Sequence, residues 1–196
     1  LMCCGRANRM RALAVNAVNM TAAVFGVALV VLGVTAIGMR TPAQQPGVQG
    51  DMLGPQPGEQ MADYVARAEV SLQDAGAQSA YALVTYDAPC DPATAAQLVR
   101  IVARVDALLL VDVPAHPIPE PTGDEDRADV FAREAQRAAQ RAQANSVTLS
   151  PVSIGAVVVH APGEDLRAIA EQEGVRAVEV LPTDAIWGTF GITAIA

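Results

Sequence analysis

Lysine is absent from this 196-residue chain, and all 13 of its basic residues are arginine, a bias common in chains encoded by GC-rich genomes. Aromatic residues make up only 4% of the sequence, so a folded core has to be built mainly from Val, Leu, Ile and Ala. The three cysteines, Cys3, Cys4 and Cys90, are too scattered for a disulfide framework. The two histidines, His116 and His160, have no acid or thiol three or four residues away on a common helix, which excludes a local metal motif. The sequence has no glycine-rich phosphate loop, no CxxC pair and no CxxCH haem-attachment site. Acidic residues are missing before Asp51.

What is present is a long apolar run. Leu13 to Met39 carries no ionisable residue. As a helix its 27 positions reach about 40 Å, more than the roughly 30 Å hydrocarbon core of a bilayer. The run reads as one membrane-spanning helix. A cleaved signal peptide is the competing reading, but its apolar core spans only about 7–15 residues. No small-x-small site follows either, since Ile37, Gly38, Met39 and Arg40 make a bulky and then charged exit. Arg6, Arg9 and Arg11 precede the run and only Arg40 follows closely, which places the N-terminus in the cytoplasm. Ala22, Gly26 and Gly33 form a stripe of small residues, with Asn16 and Asn19 near the inner end. These five are candidate contacts to a partner helix, the alternative for the amides being the headgroup layer.

Charge divides the chain. The formal net charge is −8, yet residues 1–40 hold four arginines and no acid. Residues 41–196 hold nine arginines against 21 acids, a balance of −12. Such an exterior is unsuited to nucleic acid or to an anionic lipid surface, and suits a basic protein partner. Four segments follow: a basic cytoplasmic tail (1–12), the transmembrane helix (13–39), a Pro/Gly/Gln-rich linker (40–57) and an extracytoplasmic α/β domain (58–196). The linker composition predicts no regular element and no contribution to a core.

Within the domain, apolar spacing predicts a helix over Gly58 to Ala75, stopped at Gly76. Ala80 to Tyr86 then reads as a strand, Pro92 to Ala103 as a helix and Val105 to Val113 as a strand closed by Pro114. The order returns as strand Ile154 to Val159, helix Glu164 to Gln172 and strand Val175 to Leu181, closed by Pro182. Each first strand is followed by x-Ala-Pro, at Asp87 and at His160, so the pattern reads as two βαβ repeats. A proline-rich loop, Pro114 to Thr122, and a helix, Asp124 to Ala144, lie between them. Two such units in one sheet predict a ferredoxin-like α/β domain with an inserted helix.

Candidate functional residues are few. Asp87 and His160 end matching strands, where α/β sites gather, and are the weak ligand-site candidates; helix caps or turns are the simpler reading. Cys90 precedes a helix start, a position that activates a thiol, but no glycine-rich elbow surrounds it. Arg133, Arg137 and Arg141 recur once per turn, as a docking face for acids or lipid phosphate or, more simply, as a solvated face. Cys3 and Cys4 read as plain thiols rather than acylation sites. In the tail Thr183 to Ala196, Trp187 and Phe190 are candidate partner contacts of the outer domain, unless they cover the sheet. No catalytic residue, cofactor or metal is expected.

The segments YALVTYDAP (81–89), EDRADVFARE (125–134) and VRAVEVLPTDAIWGTFGI (175–192) resemble those of uncharacterised single-span membrane proteins of actinobacteria. The resemblance spans most of residues 60–196 and names no chemistry. It implies a Gram-positive cell envelope, in which small single-span proteins serve as accessory subunits of larger machines. The respiratory cytochrome bcc–aa3 supercomplex is similar in having several such subunits. The expected function is a non-catalytic accessory or assembly subunit of an integral membrane complex in the lipid bilayer. The alternative is a ligand-binding or envelope-sensing domain, and a tethered enzyme is third. On the topology read here, an impermeant thiol reagent applied to intact cells is expected to label a cysteine introduced at Gln56 and to spare Cys3 and Cys4. Labelling of the N-terminal pair alone would invert it.

Overall fold

The computed structural model of the chain describes residues 50–111, 113–144 and 152–193. The basic tail, linker residues 40–49 and the expected span with Asn16, Asn19, Ala22, Gly26 and Gly33 lie outside the described residues. Among those described, no helix is long and apolar enough to cross a membrane.

The described chain is a mixed α+β domain. In order it forms β1 (Met52–Leu53), α1 (Met61–Gln73), β2 (Ser79–Cys90), α2 (Pro92–Leu98), β3 (Arg104–Leu110) and β4 (His116–Pro117). There follow α3 (Arg127–Ala144), β5 (Ile154–Pro162), α4 (Gly163–Ala170), β6 (Val175–Val180) and β7 (Gly191–Ile192). Five strands make one sheet in the order β4-β3-β5-β2-β6, every neighbouring pair antiparallel. The two strand-helix-strand units interleave: β5 lies between β2 and β3, and β2 lies between β5 and β6. A separate two-stranded parallel ribbon pairs β1 with β7.

Strand alternation gives the sheet two faces, and both are apolar. The first carries Ala82, Val84, Leu108, Leu110, Val157, Val159, Val178 and Val180, packed against helices α2, α3 and α4. Poverty in aromatics shows here. Phe131 is the one large plug from α3, and Ala135, Ala138 and Ala142 let that helix approach closely. The second face carries Leu83, Ala107, Leu109, Ala156 and Val158 and is covered by Leu53, Leu181 and Phe190. A sheet covered twice explains why its strands read as near-continuous apolar runs rather than as alternating ones.

Helix α1 guards the open edge. Its Ser71 hydroxyl accepts the otherwise unpaired Val180 N–H at 2.9 Å, and Tyr64 reaches the Thr85 hydroxyl at 3.0 Å. Close approach also dictates Gly163 at the start of α4. Its N–H donates to the Gly76 carbonyl at 2.9 Å, and an added Cβ would fall 2.6 Å from the Ala75 oxygen.

Several expectations need correction. Helix α2 opens where expected, because Asp91 caps the amides of Ala93 and Thr94 and Pro92 occupies the first turn. It ends at Leu98 rather than Ala103, because tertiary donors take its last carbonyls. Arg127 bonds the carbonyls of Val99 and Ala103, and Gln172 bonds that of Leu98. The linker was expected to hold no regular element and no core residue. Instead, β1 lies within it and Leu53 is 0% exposed. An outer domain beginning at Gly58, as expected from composition, therefore omits part of its own core. Urea titration is expected to show a domain started at Gly58 less stable than one started at Val48 by about 2–5 kcal/mol, the range for emptying a buried leucine site. Equal stabilities would place Leu53 outside the core.

Candidate functional site

Asp87 and His160 were expected at matching strand ends, and the antiparallel register separates them. His160 stands opposite Tyr81, whereas Asp87 lies six residues further along β2, about 20 Å away at strand rise. The paired Asp/His site is therefore not formed. His160 stacks on Tyr81 with centroids 4.6 Å apart. Asp87 is an exposed cross-strand tie. Its N–H donates to Gly174 O at 2.9 Å, its carbonyl accepts from Arg176, and its carboxylate lies 3.7 Å from the same guanidinium.

The other sequence candidates settle into structural roles. Burial and the neighbouring Asp91 push the Cys90 thiol up to about 11, the reverse of the activation expected near a helix start. Phe190 is 8% exposed and packs with Trp187 and Tyr81 at centroid separations of 5.2–5.7 Å. The expected contact pair thus covers the domain's own sheet. Among the described residues of the tail, the most exposed large apolar side chain is Ile186, at 66%.

The sequence reading missed the buried carboxylates. On α3, Glu134 is 4% exposed and gathers the arginine stripe about itself. Arg137 donates to it at 2.6 Å, Arg133 at 3.2 Å, and His116 Nε2 lies 3.2 Å from its other oxygen. Because the guanidinium of Arg141 must donate to His116 Nδ1 (3.0 Å), the proton of neutral His116 is assigned to Nε2 and points at Glu134. A single glutamate among arginines at turn spacing was the available signal.

On β6, Glu179 is 3% exposed amid Leu and Ala side chains. It accepts the Gly54 N–H at 2.6 Å and pairs with Arg67, which also bonds Glu59 and the Gly54 carbonyl. Arg67 holds the Glu59 carboxyl down at about 2. Burial raises Glu179, with the Gly54 amide and Arg67 limiting the rise. Asp106, 2% exposed, takes Arg104 Nε at 2.6 Å through one oxygen, while its other oxygen has no partner among the described residues.

A cleft of about 340 Å³ is the candidate site. One wall is the Val65, Glu69, Leu72, Gln73 stripe of α1. The other is Arg167, Ala170 and Glu171 at the end of α4, over a floor of Arg176, Ala177 and Val178 from β6. Arg167 is committed to the carbonyls of Leu72 (3.4 Å) and Ala75 (2.9 Å), and Arg176 to Asp87. Glu69 takes only a 3.5 Å bond from Gln73, and among the described residues Glu171 takes none at its carboxylate. The cleft presents an apolar floor with two arginines and two glutamates around it. Of the described sequence-predicted site residues, Asp87, His160, Trp187 and Phe190, none lines it. Three or more His, Cys, Asp or Glu side chains poised for a metal do not occur among the described residues.

Comparison of the chain with family models, curated proteins and solved structures finds no match.

The Glu134 cluster carries a pH prediction. Burial pushes its carboxyl up, but His116, Arg133 and Arg137 together outweigh that and hold it below 4.5. A carboxylate depressed in the fold stabilises above its unfolded pKa and loses that contribution as pH falls through the folded value. Glu179, raised in the fold, has the opposite sign: its burden appears as pH rises through its folded value. Glu134→Gln is expected to lower stability at neutral pH by about 1–3 kcal/mol and to flatten the loss of stability below pH 4.5. Urea midpoints measured across that range check both; an unchanged acid limb would remove Glu134 from the acid response.

Proposed function

We propose that this chain is a single-span membrane protein with a cytoplasmic N-terminus, whose outer domain makes it a non-catalytic accessory or assembly subunit of a larger integral membrane complex. The resemblance to actinobacterial single-span proteins points toward the respiratory supercomplex as that assembly. The strand order β3-β5-β2-β6, with α2 and α4 as crossovers, supports a ferredoxin-like outer domain carrying α3 as its insertion.

One observation carries the reading. The domain begins at β1, tied in by Leu53 and the Gly54–Glu179 hydrogen bond, so only residues 40–49 remain between it and the expected span. Ten residues reach at most about 33–36 Å when fully extended. That upper limit on reach favours partners embedded in the membrane over distant ones. It adds to the small-residue stripe at Ala22, Gly26 and Gly33, which suits close helix packing.

A second reading, an extracytoplasmic ligand-binding or sensing domain, is favoured by the α1–α4 cleft. Its volume of about 340 Å³ lies at the small end of the range for ligand sites, roughly 300–1,000 Å³.

Deleting residues 183–196 is not a clean test of outer contacts, because the deletion uncovers the sheet beneath Phe190. The span offers a better one. The tagged chain, solubilised in mild detergent, is expected to co-purify with multi-span proteins. Gly26→Leu with Gly33→Leu is expected to weaken that recovery severalfold while membrane insertion persists, because leucine favours the bilayer yet blocks close approach. A wild-type chain that purifies alone, or leucine variants recovered with the same partners, would favour the sensing domain instead.

A further inference from the structure

We propose that His116 is an acid-released latch: its neutral form fastens the last turn of α3 to β4, and protonation unfastens that turn while the middle of the helix stays in place. Every group involved belongs to the described domain, so the latch stands apart from the accessory-subunit reading. The imidazole lies between two residues of α3, with a Glu134 oxygen 3.2 Å from Nε2 and the guanidinium of Arg141 3.0 Å from Nδ1. A guanidinium holds only donors, so Nδ1 must present its lone pair, and the N–H of the neutral ring is left on Nε2, toward the carboxylate. Arg141 stands two turns beyond Glu134, about 10.5 Å along the helix axis. One ring thereby ties β4 to α3 at two heights.

Acid acts on these two ties in opposite directions. The incoming proton goes to Nδ1, which then becomes a donor facing a donor, with a cation on each side of a 3.0 Å contact. That contact has to open. At Nε2 the proton is already in place, and a charged ring donates to the Glu134 carboxylate more strongly than a neutral one. The surroundings fit release at the helix end alone. Arg133 and Arg137 share the Glu134 carboxylate, and Glu125 pairs with Arg133, so the middle of the helix keeps its polar partners. On the strand side, Arg104 pairs with Asp106 and the Glu120 carboxylate accepts the Val105 amide, and none of them bonds to the ring. Beyond Phe131 the apolar residues that α3 buries are all alanine, the last of them Ala142. An alanine buries a single methyl group, so one hydrogen bond is a comparable part of what holds the final turn.

The test is hydrogen exchange, read by mass spectrometry on the full chain in phosphatidylcholine nanodiscs and corrected for the intrinsic exchange rate. Measurements at about pH 7.5 and about pH 5.5 bracket the ordinary histidine value of about 6.5. Residues 139–144 are expected to lose protection about three- to tenfold at the lower pH, in line with one partly exposed hydrogen bond, while residues 128–134 keep theirs. His116→Gln cannot take up the proton and Arg141→Met removes the opposing cation, so residues 139–144 of either variant are expected to exchange equally at both pH values. His160→Gln, at the only other histidine of the chain, is expected to retain the wild-type response. Nitrogen NMR of the histidine-labelled chain, assigned with the His160→Gln variant, needs no substitution at the latch and is expected to find the neutral His116 proton on Nε2. A proton on Nδ1, equal protection of the wild type at both pH values, or an acid response that survives in His116→Gln or Arg141→Met would overturn the latch.

Discussion

Glu179 sits buried on a largely apolar sheet face, and the second layer of the domain is assembled around neutralising it. A carboxylate in that position, left unpaired, would cost several kcal/mol, comparable with the whole stability of a domain. It is paired from two directions: by the Gly54 amide at the end of β1, and by Arg67 from α1. Arg67 in turn holds Glu59 and the Gly54 carbonyl. A buried pair of this kind adds little net stability over an apolar pair, but breaking it is expensive. Its effect here is one of position. It fixes where the chain enters the domain and how α1 lies along β6.

That position has consequences at both ends of the fold. With α1 held against β6, the sheet edge is closed by Ser71, and the cleft opens between α1 and the end of α4. With β1 held over the second face, β7 finds a parallel partner, and Phe190 is drawn into the core beside Leu53. Gly54 allows the turn, since its φ of +98° is left-handed and the Thr193 side chain lies only 3.2 Å from where a Cβ would be. The same network fixes β1 as the start of the described domain.

The Glu134 cluster works differently. Its arginines are partly exposed, and the carboxylate they share is the buried member. His116 joins from β4, so one glutamate ties an inserted helix to the edge of the sheet. A stripe that reads in sequence as a surface for anions is, in the fold, largely directed at an anion of its own. Charge read from a helical wheel describes spacing, and not which side of the helix the core occupies.

The order of the four long strands and the helices, their approximate limits, the doubled strand-helix-strand pattern and the aliphatic core were legible in the sequence; the short strands β1 and β4 were not. Each depends on local periodicity, on stops such as Gly76 and Pro114, or on composition. The sheet partners were not legible. Interleaving two repeats as antiparallel neighbours sends β2 and β5 in opposite directions, and that alone parts Asp87 from His160. The burial of Leu53 inside a segment rich in proline and glutamine was equally hidden, because its partners lie in distant segments, from Leu83 on the sheet face to Ile192 in β7. Glu179 and Asp106 signalled only that a charge stood in an apolar strand. Local sequence determines what a segment prefers to become; which face is covered, and by what, is decided by contacts between distant segments competing to remove the same apolar surface from water.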